Sequence, residues 1–307
     1  MRISVIIPTY NRRQKLERCL AALGRQTLPR EQFEVIVIND GSSDETEQYL
    51  EQVAAEGALN LHYKSQLNQG QGVARNEALS MARGELVLII GDDCYADYGL
   101  LAEHDRQHTA HPEETAAVLG FVTWLPELTP SPLMRFMEKG GAILGRWGGH
   151  QFAYDLLEGK ERADARFFYT ANLSLKRSLL QKESFDPTFS AYGWEDIELG
   201  MRLERKRGMV LYYAPRARVF HDHWISLEDF KKRMVAIGEG SHSMQKRDPS
   251  GRYLPSLKKW FVFRLLALSP LLFITKMFYP DLYYYSLSKK YFLKGVKKGY
   301  NKEKNEE

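Results

Sequence analysis

A chain of 307 residues, 44% hydrophobic and 27% charged, has the size and composition of one large globular domain, or one domain with an appendage, and this excludes wholesale disorder. Its net charge of +4 is too small to argue for nucleic acid as a partner, and no basic stretch interleaved with aromatics matches an RNA-reading motif. Two cysteines, Cys19 and Cys94, make a disulfide framework unexpected and point to a reducing compartment. The opening "MRISVIIPTYNRR" is too short in apolar residues to be expected as a signal peptide.

In chain order, Ile3–Ile7 and Phe33–Ile38 read as short β-branched buried strands, each followed by a helix-period stretch, Arg12–Gln26 and Asp44–Glu56. Leu59–Lys64 and Glu85–Ile90 continue the alternation, with a helix over Gly72–Ala82 between them. Strand and helix repeated in this way predict a mostly parallel sheet covered on both faces. Ligands of such sheets gather beyond the carboxyl ends of the strands. Those ends carry "PTYNR" (Pro8–Arg12), "NDGSSDET" (Asn39–Thr46) and "GDDC" (Gly91–Cys94), three polar clusters expected on one edge. Asp40 suits a turn as well as a site, and Ser43 or Asp44 is expected to cap the following helix. Asp92 and Asp93 are different: two adjacent carboxylates at the mouth of a buried strand repel unless a cation neutralises them.

Beyond Ala116 the alternation fades. A strand over Ala117–Trp124 runs into the proline-rich "LPELTPSP" and the glycine-rich "GGAILGRWGG", a connector or a loop that a ligand approaches. "FFYTANLSLKR" (Phe167–Arg177) reads as a strand pair, and Phe189–Gly208 as a loop entering a helix whose inner face carries Ile197, Met201 and Leu203. Glu195 and Asp196 fall in its first turn, where the helix dipole alone would favour acids, and Glu198 and Glu204 read as solvated charges. His221 and His223 follow a β-like run at alternating positions, which puts both on one side if the strand continues. With the aspartate pair they make a carboxylate-plus-imidazole site suited to Mn²⁺ somewhat better than Mg²⁺. No HExxH or CxxC is present, which disfavours a zinc hydrolase.

The C-terminal region is basic, with ten Lys or Arg between Lys258 and Lys302 against the single acid Asp281. Trp260–Pro280 is apolar, but its longest uncharged run, Leu265–Thr275, contains Pro270 and is far short of the roughly 20 residues a spanning helix needs. Aromatics interleaved with Arg and Lys fit a helix or helix pair lying on an anionic membrane surface; a core-packing helical subdomain is the alternative.

The ordered set "SVIIPTYNR", "VIVINDGSSDET", "NQGQGVARNEAL", "GDDC", "ANLSLKR", "GWEDIELGMRL" and "FHDH" resembles the inverting family 2 glycosyltransferases of the GT-A fold, over Arg2 to Phe230. The resemblance implies an α/β architecture with a Rossmann-like central sheet. It also implies a transferase domain over 1–230, split into a nucleotide-binding half, 1–115, and an acceptor-binding half, 116–230, with a helical appendage at 231–307. It assigns Pro8, Thr9, Tyr10 and Asp40 to the base and ribose of a nucleotide-diphosphate sugar, a UDP-sugar by preference, and Asn68 and Arg75 to the nucleotide and diphosphate. Asp92 and Asp93 match the last two acids of the family's metal triplet, and Gly91 stands where an aspartate is common. Asp93 and His221 are then the ligands of a divalent Mn²⁺ or Mg²⁺ ion, with His223 beside them and Asp92 on ribose or metal-bound water. Asp196 matches the catalytic base, and Glu195 with Trp194 the acceptor side.

That chemistry needs these residue types, since a departing diphosphate must be neutralised and an acceptor hydroxyl must lose its proton as it attacks. The expected acceptor is a lipid-linked or cell-surface glycan intermediate in envelope polysaccharide synthesis, met at the cytoplasmic face of the membrane. One rival is a protein that keeps the fold and binds nucleotide sugars without catalysis. Another, a dinucleotide-dependent oxidoreductase, is disfavoured because the first strand leads to "PTYNR" and not to a glycine-rich phosphate turn.

Overall fold

The computed structural model describes residues 1–139, 153–189, 193–248 and 253–306. Two compact units divide them: one holds 1–128, 157–188 and 199–223, the other 129–156, 189–198 and 224–307. The glycine-rich "GGAILGRWGG" lies outside the described residues.

The first unit contains the sheet. Strands β1 (Ile3–Thr9), β2 (Phe33–Asn39), β3 (Leu61–Ser65) and β4 (Leu86–Ile90) alternate with helices α1 (Arg13–Leu23), α2 (Thr46–Glu56) and α3 (Gln71–Met81). The strands pair in parallel in the order β3-β2-β1-β4. Every residue of β1, β2 and β4 is buried, as the unbroken apolar runs require of strands covered on both faces. Helix α1 turns Leu16, Cys19, Leu20 and Leu23 inward, an i, i+3, i+4, i+7 stripe. Beyond β4 lie β5 (Cys94–Ala96), α4 (Leu100–Ala110), β6 (Ala116–Trp124), the two-residue β7 (Arg162–Ala163), β8 (Asn172–Lys176), α6 (Arg177–Lys182) and β9 (Val210–His221). Here the sheet becomes mixed: β8 is antiparallel to β4 and β6, β9 is parallel to β6, and β5 is antiparallel to β9.

Two local expectations fail. Phe167–Arg177 is not a strand pair: a 3₁₀ turn over Ala165–Phe167 precedes the single strand β8, and Arg177 already opens α6. The helix expected after Phe189 is α7 (Glu195–Arg207), and Leu199 and Leu203 are its fully buried residues, whereas Ile197 and Met201 remain partly exposed. Glu198, one residue before Leu199, is 7% exposed and so is no solvated charge; Glu204 is exposed as expected.

Beneath the sheet, His104 of α4 contacts Ser174 Oγ through Nδ1 at 2.8 Å and Asn172 Oδ1 through Nε2 at 2.9 Å, and His108 Nε2 reaches the same serine at 2.9 Å. Burial lowers His104 to about 4 and His108 to about 3, the second also through the charge of its neighbours His104, Lys176 and Arg2. The unfolded chain takes up these protons near pH 6.5, but the folded chain does so only near pH 4 and below. Stability from the neutral rings is therefore complete above pH 6.5 and drains away as the pH falls toward 4, by about 3 kcal/mol for His104 alone. Thermal melts should drop between pH 7 and pH 5, and a His104→Gln/His108→Gln variant should flatten that drop; a flat wild-type profile would contradict the assignment.

The second unit is helical: α5 (Pro132–Lys139), α8 (Leu227–Arg247), α9 (Leu257–Leu266), α10 (Ser269–Phe278) and α11 (Pro280–Glu306). Ser226 starts α8 through a capping box with Asp229. Helices α8 and α11 pack backbone to backbone. A Cβ on Gly238 would lie 2.2 Å from the Phe292 carbonyl oxygen, and one on Gly295 2.0 Å from that of Val235. Among the described residues no single helix is long and apolar enough to cross a membrane. Helices α9 and α10 reach that length and composition only together, and they are bent by 64°.

Candidate active site

Parallel register builds the site. Ile6 of β1 pairs with Ile89 of β4, so the chain three residues further on sets Thr9 level with Asp92, and Thr9 Oγ1 donates to Asp92 Oδ2 at 2.8 Å. Thr9 also pairs with Asn39, which brings the end of β2 to the same edge. The loops after β1 and β2 are stitched together there. Asn11 Oδ1 accepts from the Ser43 amide at 2.7 Å, and Asp44 accepts from the Arg13 amide at 3.1 Å and the Thr46 amide at 3.2 Å. Asp44 thus satisfies amides at the starts of both α1 and α2, although the N-cap position of α2 falls on Glu45 and not on Ser43 or Asp44 as expected.

The cation that the aspartate pair demands is Arg12. Its Nη1 lies 3.1 Å from Asp92 Oδ1 and 2.8 Å from Asp93 Oδ2. Asp93 is also met by His221 Nε2 at 3.3 Å and His223 Nδ1 at 3.1 Å. The two rings stack at 5.2 Å, and Trp124 stacks on His221 at 5.8 Å. Antiparallel pairing of Cys94 with His221 delivers the imidazoles, and strand alternation turns Asp222 the other way. Asp222 accepts instead from the Tyr95 hydroxyl at 2.6 Å and from Arg18 at 3.4 Å.

Asp92 and Asp93 are 4% and 5% exposed, yet their environments push them apart. Burial, reinforced by the charge of Asp93, raises Asp92 to about 6 against the opposing pull of Arg12 and Thr9. Burial would raise Asp93 too, but hydrogen bonds from His221 and His223 and the charges of His221 and Arg12 hold it well below the usual carboxylate range. Asp93 is thus the carboxylate that keeps its charge as the pH falls, and Asp92 is the one that takes up a proton first. Oxygen, nitrogen and sulfur atoms of Asp93, His221 and Cys94 lie within 4.8 Å of one another, a geometry able to hold a metal ion. The donor set suits a divalent first-row ion, and its charge requirement is visible in the guanidinium that bridges the carboxylates. Burial, then the charge of Asp93, raises the Cys94 thiol well above its ordinary value, so it adjoins the imidazoles as a neutral group. Gly91, at the departure from the family's triplet, lies under this carboxylate: a Cβ there would come within 2.8 Å of Asp93 Oδ1.

The other expected residues of this unit are dispersed around the edge. Pro8 is within β1, and Tyr10 is 49% exposed. Asp40 accepts from Gln66 Nε2 at 2.8 Å and from the amides of Gln69 and Gly70 at 2.9 and 2.8 Å, and so pins the loop that presents the exposed Asn68. Arg75 is buried, bonds Gln71 Oε1 at 2.8 Å and lies over the Phe185 ring at 5.3 Å. In the second unit, Glu195 Oε2 accepts from the Gly193 amide at 3.0 Å and Asp196 Oδ1 from the Ile197 amide at 2.8 Å. Trp194 Nε1 donates to the Ile237 carbonyl at 2.9 Å, and its ring meets Tyr253 edge-on at 5.6 Å.

The family model of glycosyl transferase family 2 matches residues 4–182, more than half of the chain. The chain belongs to glycosyl transferase family 2. An uncharacterized glycosyltransferase of Bacillus subtilis (strain 168) is 30% identical over an alignment of 244 residues, covering 67% of this chain and 61% of the relative. The chain therefore spans less than two thirds of that protein. A mannosyltransferase from Pyrobaculum calidifontis, solved with GDP-Man and Mn²⁺, superposes with a TM-score of 0.64 at 17% identity, covering 97% of this chain and 87% of its own. Staphylococcus aureus TarS, solved with UDP-GlcNAc, gives 0.51 at 20% identity, covering 99% and 92%. The fold of this family 2 chain is accordingly GT-A, as the motifs imply.

Proposed function

We propose that the protein transfers a sugar from a nucleotide-diphosphate sugar, a UDP-sugar by preference, to an acceptor hydroxyl with inversion at the anomeric carbon. The observation that carries this reading is the convergence of Asp92, Asp93, His221, His223 and Arg12 at the carboxyl edge of the sheet. Family membership and the nucleotide-sugar complexes of similarly folded proteins support it. The machinery is assigned to 1–230, with the nucleotide half at 1–115, the acceptor half at 116–230 and an appendage at 231–307. Asp93 and His221 are the residues that would hold Mn²⁺ or Mg²⁺, with Asp92 and His223 alongside; such an ion, when bound, would supply charge neutralisation to a diphosphate leaving group. Pro8, Thr9, Tyr10, Asp40 and Asn68 take the base and ribose, and Arg75 and Arg12 supply fixed positive charge near the diphosphate. Asp196 accepts the proton of the acceptor hydroxyl while that oxygen attacks, and Glu195 and Trp194 orient the acceptor.

Transfer from a UDP-sugar should fall on the order of 100-fold or more in excess EDTA and return with Mn²⁺ or Mg²⁺. Undiminished transfer in chelator would remove the ion from the scheme, and a chain that binds UDP-sugars without turnover would be a binding protein. The acceptor proposed is a lipid-linked or cell-surface glycan intermediate at the cytoplasmic face of a membrane. Supporting this, Phe261, Phe273, Met277 and Phe278 of α9 and α10 are each 63–67% exposed, beside Lys258, Arg264 and Lys276. Co-sedimentation with anionic vesicles at low salt is expected; its absence would sink the docking.

A further inference from the structure

The helical unit contains a cavity that the scheme above leaves unused. It measures about 360 Å³ and is walled by Trp194, Tyr253, Phe263 and Phe292, with Lys259 and Lys289 also lining it. Among the described residues that line it there is no Asp or Glu. Lys289 is half-buried, and its ammonium lies 4.6 Å from the Tyr285 ring centroid and 5.2 Å from that of Phe263. Among the described residues no carboxylate pairs with it or with Lys259. Burial, and then the charge of Lys259, lower Lys289 to about 8. A half-buried ammonium that lies against ring faces, with a second ammonium beside it, forms a cationic centre without its anion.

The surroundings narrow what that anion is. A neighbouring cavity of about 820 Å³ shares Leu254 and Pro255 with the first and is lined by Arg264, Lys290, Lys294 and Lys297, again with no acid among the described residues. Helix α9 connects these cavities to the exposed apolar surface: Lys259 and Phe263 line the first, while Leu257, Phe261 and Val262 are 90%, 63% and 49% exposed. A small hydrophilic anion would gain nothing from aromatic walls, and a neutral lipid would leave two ammoniums unpaired. An amphiphile with an anionic head and an apolar chain satisfies both.

We propose that this cavity binds the phosphate of a lipid-phosphate-linked acceptor, with Lys259 and Lys289 on the phosphate and Phe263, Phe292 and Tyr253 along the first carbons of its chain. The inference rests on the reading that acceptors are handled beside Trp194 and Asp196, and it adds the chemical class of the acceptor and the residues that select it. Phosphate oxygens accept charge-assisted hydrogen bonds from both ammoniums, and the apolar chain leaves along α9.

The test uses the full chain and three probes below their micellar concentrations: farnesyl phosphate, farnesol and inorganic phosphate. Binding is read by tryptophan fluorescence and by calorimetry. Farnesyl phosphate is expected to bind at least about tenfold more tightly than either farnesol or inorganic phosphate, the gain of a charge-assisted pair. Lys289→Met should bring farnesyl phosphate to the level of farnesol and leave farnesol binding within about twofold. The exposed Lys259→Met, which removes no packing, should weaken farnesyl phosphate alone by about fivefold, and it decides the matter should Lys289→Met fail to fold. Equal binding of farnesol and farnesyl phosphate, or wild-type affinity in Lys259→Met, overturns the proposal. Inorganic phosphate binding as tightly as farnesyl phosphate overturns it in favour of a soluble phosphorylated ligand. UDP-sugar hydrolysis measured on the same wild-type preparation separates the two levels: a chain that turns over donor but ignores farnesyl phosphate loses only this inference.

Discussion

Replacing Asp93 by alanine should reduce sugar transfer by about 10³-fold, equivalent to about 4 kcal/mol, and should abolish the added thermal stabilisation that Mn²⁺ gives to UDP-sugar binding. The size of the effect follows from what meets at this carboxylate. His221, His223 and Arg12 all approach within 3.3 Å of its oxygens, so the variant leaves two imidazoles and a guanidinium facing one remaining acid. That acid, Asp92, has one oxygen committed to the Thr9 hydroxyl and the other to Arg12. Asp92→Asn keeps the volume and can still accept from Thr9, and its expected loss is smaller, about 10- to 100-fold. The Asp93 backbone carbonyl accepts from the Asp222 amide at 2.8 Å and is unaffected by the substitution, so the loop after β4 should hold. Transfer within tenfold of wild type in Asp93→Ala would place the ion, and the chemistry it serves, elsewhere.

The parallel half of the sheet was legible because three of its strands, β1, β2 and β4, are buried on both faces. Ile3–Ile7, Phe33–Ile38 and Glu85–Ile90 are nearly continuous β-branched or leucine runs, and polar residues begin where the strands end. The register of parallel strands then brings those polar ends to one edge with no further information. The mixed half carries no such signal. In "FFYTANLSLKR" the apolar Phe167 and Phe168 are buried at the end of a turn, and period alone does not separate that from a strand. On α7, Leu199 and Leu203 are as periodic as Ile197 and Met201, and only packing decides which pair faces inward. The imidazole pair was readable by strand alternation. Arg12 stood within "PTYNR" without an assignment, although two adjacent acids at a neighbouring strand end were themselves a request for a nearby cation. His104 and His108 gave no signal, since an i, i+4 pair on a helix becomes a buried polar cluster only when β8 supplies Ser174 and Asn172. Lys289 was one of many lysines in a basic tail, and its burial comes from its neighbours in space.

Asp196→Asn should lower kcat for transfer by about 10³-fold while changing the KM for donor by less than about threefold, a split expected of a group that acts on the acceptor proton in the transition state. The substitution is conservative in shape: the Asn side-chain oxygen can still accept from the Ile197 amide that now lies 2.8 Å from Asp196 Oδ1, so the first turn of α7 keeps its bond. What disappears is the capacity to take a proton. Glu195 stands in the same turn with its Oε2 accepting from the Gly193 amide at 3.0 Å, so it is the control for this assignment. Glu195→Gln preserves an acceptor for that amide and should cost about tenfold or less, chiefly in acceptor KM. Measuring both variants with saturating donor separates proton removal from acceptor positioning. If Asp196→Asn kept its kcat and Glu195→Gln lost it, the base would be Glu195 and the roles within the pair would exchange. If neither variant lost kcat, proton removal would have to be assigned to another carboxylate, and the motif-based assignment of this turn would fall.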